Sequence, residues 1–181
     1  MSFPISDWPD VPAALIAEVR AFVRIDHEAD DAAIAAFLRS AASLCEDFTG
    51  QMLVARPVTD MLPARHAWQK LKRLPVQSIT TVEQVAANGI ASPLAVADYA
   101  LEIDSDGIGW IRLHRSDGGS RIRVTYASGL AVDWDELPAG LRQGIVRMAG
   151  YFYANRDGVD AGGPPSAVIA LWRPYRRMRI V

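Results

Sequence analysis

With 181 residues, half of them apolar, and a formal net charge of −2, the chain fits one domain or two small lobes sharing a core, and its composition excludes a disordered chain. Its single cysteine, Cys45, excludes an internal disulfide and any multi-thiolate zinc site and reads as a small buried hydrophobe. Residues 1–50 hold nine acids against three bases, and residues 141–181 hold seven arginines against two aspartates; such polarity either orients subunits in an assembly or marks two ordinary solvated faces.

The opening MSFPISDWPD has no basic region followed by an apolar run, so no signal peptide is expected. No stretch approaches the roughly 18 apolar residues of a membrane span, so synthesis in the cytoplasm is the default. Prolines 4, 9 and 12 predict an irregular start. A first helix is expected over about 11–22, with Asp10 as cap, Pro12 in the first turn, and Leu15, Val19 and Phe22 on one side. RIDHEADD interrupts it. The second helix is the clearest element: Ile34, Phe37, Leu38, Ala41, Cys45 and Phe48 recur at three- and four-residue spacing. Alanines between them supply propensity, acids Glu28, Asp30 and Asp31 stand at its start, and Gly50 is placed to take a left-handed cap. Phe37, central in the stripe, is expected in the core.

The middle reads as β structure. Pro57 and Pro63 bracket a short extended piece, and Pro75 precedes SITTVEQV, rich in β-branched residues. Tyr99, Leu101 and Ile103 alternate, residues 104–107 signal a turn, Ile111 and Leu113 alternate, and SDGG signals a second turn. Ile122, Val124 and Tyr126 point one way and Arg121, Arg123 and Thr125 the other, which predicts a sheet with one buried and one wet face. The last two strands are expected to pair as a hairpin. A third helix follows Pro138, with Leu141, Ile145, Met148 and Phe152 at spacings of four, three and four; Gly144 and Gly150 inside it call for close helix approach. A turn-rich linker, a short helix over 166–172 and a stop at Pro174 leave YRRMRIV as a basic tail. The expected fold is α+β: a bundle of about four helices combined with a small antiparallel β-sheet inserted between the second and third. The expected organisation is a single domain over 1–181, with N-terminal helices about 11–50, a β region about 56–127, C-terminal helices about 138–172 and a tail at 173–181.

No catalytic, cofactor or metal residue is assigned. Glu102, Asp104, Asp106 and Gly107 mimic the first half of a calcium loop, but Leu113 stands where the bidentate glutamate belongs, so they read as turn residues. His27, His66 and His114 are scattered singly, without ligand spacing. Ser128 in YASGL lacks the G-x-S-x-G context, and no Walker A or GxGxxG loop occurs. Asp30, Asp31, Glu46 and Asp47 read as a solvated face or an interface charge patch. An enzyme is not expected. The cluster Arg173, Arg176, Arg177 and Arg179 has three readings: phosphate contact, pairing with carboxylates on a protein partner, or an unengaged tail. Trp172 and Tyr175 beside it favour the protein partner.

Four stretches, in this order, carry a family resemblance: AFVRIDHEADDAAIAAFLRSAASLCEDFTG (21–50), LPVQSITTVEQV (74–85), IRVTYASGL (122–130) with LPAGLRQGIVRMAGYFYANRD after a short gap, and ALWRPYRRMRIV at the end. Together they make the chain resemble the head–tail connector (portal adaptor) proteins of tailed phages and gene transfer agents. The resemblance implies a ring, usually of twelve copies, fastened below the portal protein ring, with a stopper or tail terminator protein on the opposite side. It implies DNA passing through the channel without sequence-specific binding, no cofactor, no membrane, and a place in the particle neck. It also implies that the C-terminal segment reaches the portal, which makes Trp172, Arg173, Tyr175, Arg176, Arg177 and Arg179 the candidate portal contacts. The alternatives are a nucleic-acid-binding regulatory protein and another neck component such as a tail terminator.

Overall fold

The computed structural model describes residues 8–115, 120–155 and 163–177. The described residues divide into two compact units, one within 54–130 and the other made of 8–53 with those of 131–177. Among the described residues, four helices and small antiparallel sheets, the sheets falling between the second and third helices, make the fold α+β.

In the helical unit, α1 (Ala13–Val23), α2 (Asp31–Thr49) and α4 (Ser166–Trp172) all pack against α3 (Ala139–Ala154). Helix α1 begins two residues later than expected, because Pro12 rather than Asp10 stands at its N-cap. Leu15 and Val19 are buried, whereas Phe22 is 51 % exposed. The apolar stripe of α1 therefore runs past the core at its end. The stripe of α2 buries Ile34, Leu38, Ala41, Cys45 and Thr49, while Phe37 is only half-buried against Phe152 and Tyr153. The apolar arc of α2 thus turns toward Ala41 and Ala42, and Phe37 lies at its border. Gly50 takes the left-handed cap at φ 71°, and its N–H donates to the Glu46 carbonyl. The two helical glycines have the role expected of them. A Cβ on Gly150 would stand 2.6 Å from the Phe22 ring, and one on Gly144 would stand 2.1 Å from the indole nitrogen of Trp172. Burial pushes the Cys45 thiol pKa up, with Glu46 adding to it, so the thiol stays protonated.

Among the described residues the β unit holds seven strands: β1 (Arg56–Pro63), β2 (Gln69–Lys70), β3 (Val76–Val85), β4 (Ala91–Pro93), β5 (Tyr99–Ile103), β6 (Gly109–Leu113) and β7 (Arg121–Ser128). They form two antiparallel sheets, ordered β1-β7-β3-β4 and β2-β6-β5. The expected hairpin of the last two strands does not form. β7 pairs with β1 and β3, and β6 pairs with β5 and β2. The predicted alternation of β7 holds: Ile122, Val124 and Tyr126 are buried, and Arg121, Arg123 and Thr125 are not. The false calcium loop is an Asx turn closing β5 onto β6. Asp104 Oδ1 accepts from the backbone N–H groups of Asp106 and Ile108, and Oδ2 accepts from the Trp110 indole at 3.2 Å. One buried polar network stands in this unit. Asp60 Oδ2 accepts from the Tyr126 hydroxyl at 2.9 Å and from the Lys72 N–H at 2.8 Å, and the Tyr126 oxygen accepts from the Arg73 N–H at 3.0 Å.

Candidate functional site

The C-terminal arginine segment is built on α4. Pro165 holds an extended φ/ψ before the helix, and Val168 and Trp172, four residues apart, both face inward. The helix then tightens into a 3₁₀ turn over Arg173–Tyr175, with Pro174 placed where its missing N–H costs nothing. The Arg176 N–H closes that turn onto the Arg173 carbonyl at 3.2 Å.

The segment is fastened to the end of α2. The Arg177 N–H donates to the Thr49 carbonyl at 2.9 Å, and the Gln51 side-chain amide donates to the Tyr175 carbonyl at 2.6 Å. The Arg176 guanidinium lies 5.7 Å from the centroid of the Phe48 ring, a cation–π distance. These contacts correct the expectation of a tail that leaves the body at Pro174. Through Arg177 the chain is folded back, because the turn presents its carbonyls and N–H groups to the last turn of α2.

The predicted contact residues therefore separate. Trp172 is fully buried, tilted against Phe48 at 5.9 Å and seated over Gly144. It is a core residue of the helical unit and presents no surface to a partner. Its size made it a candidate anchor from sequence; Gly144 is what gives that size a place inside. Arg173 and Arg176 are exposed, and Tyr175 and Arg177 are half-buried. Arg179 lies outside the described residues. Two exposed guanidiniums beside an aromatic rim offer forked donors suited to carboxylates. Sequence reasoning missed the receiving residues Phe48, Thr49 and Gln51, whose only signal was their position at the end of the strongest helix.

Among the described residues, no group of three or more His, Cys, Asp or Glu could hold a metal ion, and no helix is long and apolar enough to cross a membrane. Hydrogen bonds to Glu18 and Asp135 raise the Arg142 pKa. Arg142 donates to Glu18 and to Asp135, the latter at 2.7 Å, and both carboxylates stabilise its charge. That is an arrangement for structure, at the start of α3.

No family model and no curated protein matches the chain. Solved structures do, over nearly its whole length. The chain is similar to one in the neck of an empty gene transfer agent particle computed with C6 symmetry, at 27 % identity and a TM-score of 0.79, covering 99 % of this chain and 98 % of that one. It is similar to one in the virion of a native gene transfer agent particle, at 26 % identity and TM-score 0.77, with coverage of 99 % and 98 %. A third is in the neck of a native particle computed with C12 symmetry, at 26 % identity, TM-score 0.71 and 96 % coverage of each chain. These whole-length likenesses support a structural component of the neck of a phage-like particle.

Proposed function

We propose that the chain is a head–tail connector subunit. It forms a ring, of twelve copies in this reading, below the portal ring. It receives a stopper or tail terminator on the opposite side and lines the passage through which DNA leaves the head. The observation that carries this is the whole-length likeness to chains of gene transfer agent necks, one of them computed with C12 symmetry. The role is structural, and no catalytic step is assigned to any residue.

Within this reading the portal contact is the exposed face of the C-terminal turn, carried by Arg173 and Arg176 with Tyr175 and Arg177 at its border. Their guanidiniums pair with portal carboxylates, and the buried Trp172 beneath them holds the turn in place. The test is the double variant Arg173→Ala/Arg176→Ala. It is expected to fold as the wild type by circular dichroism and to lose co-sedimentation with portal rings. Undiminished co-sedimentation would place the portal contact elsewhere. Salt-dependent binding of duplex DNA by the free subunit, without portal binding, would instead favour a nucleic-acid-binding protein.

A further inference from the structure

Among the described residues the three-stranded sheet ends on β2 at one side and on β5 at the other, and the two ends are opposite in charge. On and beside β2 stand exposed Lys70, Arg65 and Lys72, the last with its N–H donated to Asp60 of β1, and on β5 and in the turn after it stand exposed Glu102 and Asp106. One cross-strand row joins the two. Lys70 is in register with Trp110, and Trp110 with Glu102, so the row begins in a cation and ends in an anion. Neither Lys70 nor Glu102 is ion-paired among the described residues.

Both edges also expose apolar surface. Trp68, beside β2, is 39 % exposed under the Arg112 guanidinium at 4.8 Å. On β5, Leu101 and Ile103 are 38 % and 41 % exposed. They share a sheet face with Ile111 and Gly109, their register partners, both buried. The apolar face thus continues past the last strand and stops uncovered.

The backbone of β5 is open as well. The Asp104 N–H donates to the Ile108 carbonyl, and the His114 N–H donates to the Asp98 carbonyl. Residues 98 and 104 therefore face β6 with their backbone groups, and by the two-residue period those of Tyr99, Leu101 and Ile103 face away. The other sheet protects its edges: β4 is three residues ending at Pro93, and β1 carries Pro57 and Pro63. β5 has no such guard.

We propose that these two edges are the contact between copies of this chain, the β5 edge of one copy seated against the β2 edge of the next. The inference rests on the ring reading above and gives that ring its interface. The occupant is a second copy because the complementary surface is in the same unit of the same chain. A closed ring needs a heterologous contact between two different surfaces, and the Lys70–Trp110–Glu102 row supplies a pair. A two-fold contact of β5 with itself would bring two copies of the same acidic strand together, where like charges repel. Edge to edge, Glu102 meets Lys70 of the neighbour on one face of the sheet, and Leu101 and Ile103 lose water on the other.

The test is the double variant Lys70→Cys/Glu102→Cys in assembled particles. Within one copy these positions are separated by two strand spacings, about 9.5 Å, and a disulfide does not span more than roughly 7 Å between Cα atoms. The native Cys45 is buried. Mild oxidation is therefore expected to give a ladder of linked multimers that neither single variant gives. A variant chain present in necks at the wild-type amount, with no ladder, would overturn the edge contact and leave the neck reading standing. Absence of wild-type and variant chains alike from necks would overturn both. Should the cysteine pair impair folding, charge reversal replaces it. Glu102→Lys is expected to lose ring incorporation, and Glu102→Lys with Lys70→Glu to regain it; equal behaviour of the two would overturn the proposal.

Discussion

Gly144 leaves the space that the indole of Trp172 fills: a Cβ at residue 144 would stand 2.1 Å from the Trp172 ring nitrogen. Helix α3 thus gives up propensity at one position so that α4 can lie against it. Alanine at 144 would gain about 1 kcal/mol of helix propensity, but it would collide with a ring enclosed on all sides. Overpacking of that kind costs about 1–3 kcal/mol, occasionally more. Gly144→Ala is expected to destabilise the protein in urea unfolding, and Trp172→Ala by about 3–5 kcal/mol. A neutral Gly144→Ala would show that α4 does not hold this position.

A truncation beginning at residue 172 removes that core residue along with the arginines. It is expected to destabilise the helical unit, so that lost assembly would report folding rather than docking. Circular dichroism melts of the truncated chain and of Arg173→Ala/Arg176→Ala separate the two. The truncated chain should melt lower and the double variant close to wild type. Equal melting would mean that Trp172 contributes nothing to the core.

Phe37 and Leu38 are adjacent in α2 but unequal. Leu38 is fully buried, whereas Phe37 is half-buried against Phe152 at 6.3 Å and Tyr153 at 6.5 Å. Leu38→Ala is expected to cost about 2–5 kcal/mol and Phe37→Ala about 1–2 kcal/mol, below the full value of a buried phenylalanine. Paired urea titrations check the order. A larger loss at Phe37 would place the core of the unit on the other side of α2.

Burial, and then the Asp60 charge, push the Tyr126 pKa above its ordinary value. A raised folded pKa favours the protonated form in the native state. The stabilisation is full below the ordinary phenol pKa of about 10 and is lost as pH rises through the folded value. Stability should therefore fall with alkaline pH from about pH 10. Tyr126→Phe should weaken that fall while costing about 1–3 kcal/mol at neutral pH, because it removes a donor from Asp60 and the acceptor of the Arg73 N–H. An alkaline slope unchanged in Tyr126→Phe would contradict the role given to this hydroxyl.

The helices were legible in the sequence because a buried stripe repeats every three or four residues whatever it packs against. The stripe of α2 and the glycines of α3 announced both the elements and their close approach. Strand partners were not legible. A period of two says which face Ile122, Val124 and Tyr126 share, but not that β7 lies between β1 and β3. The SDGG turn signal carries no information on which strands pair across it. The Tyr126–Asp60 hydrogen bond depends on that same long-range pairing and was invisible for the same reason. At the candidate site the arginines stand out in the sequence by charge, and proximity alone groups Trp172 with them. The discriminating signal was its four-residue spacing from Val168, which puts both on the inner face of α4.

The central claim is tested most directly by a reconstruction of the neck of particles carrying this chain, with side chains resolved. The account predicts a twelve-membered ring of this chain immediately below the portal, with Arg173 and Arg176 against portal carboxylates. The chain placed outside the neck, or a neck ring that leaves the portal contact to another protein, would contradict it.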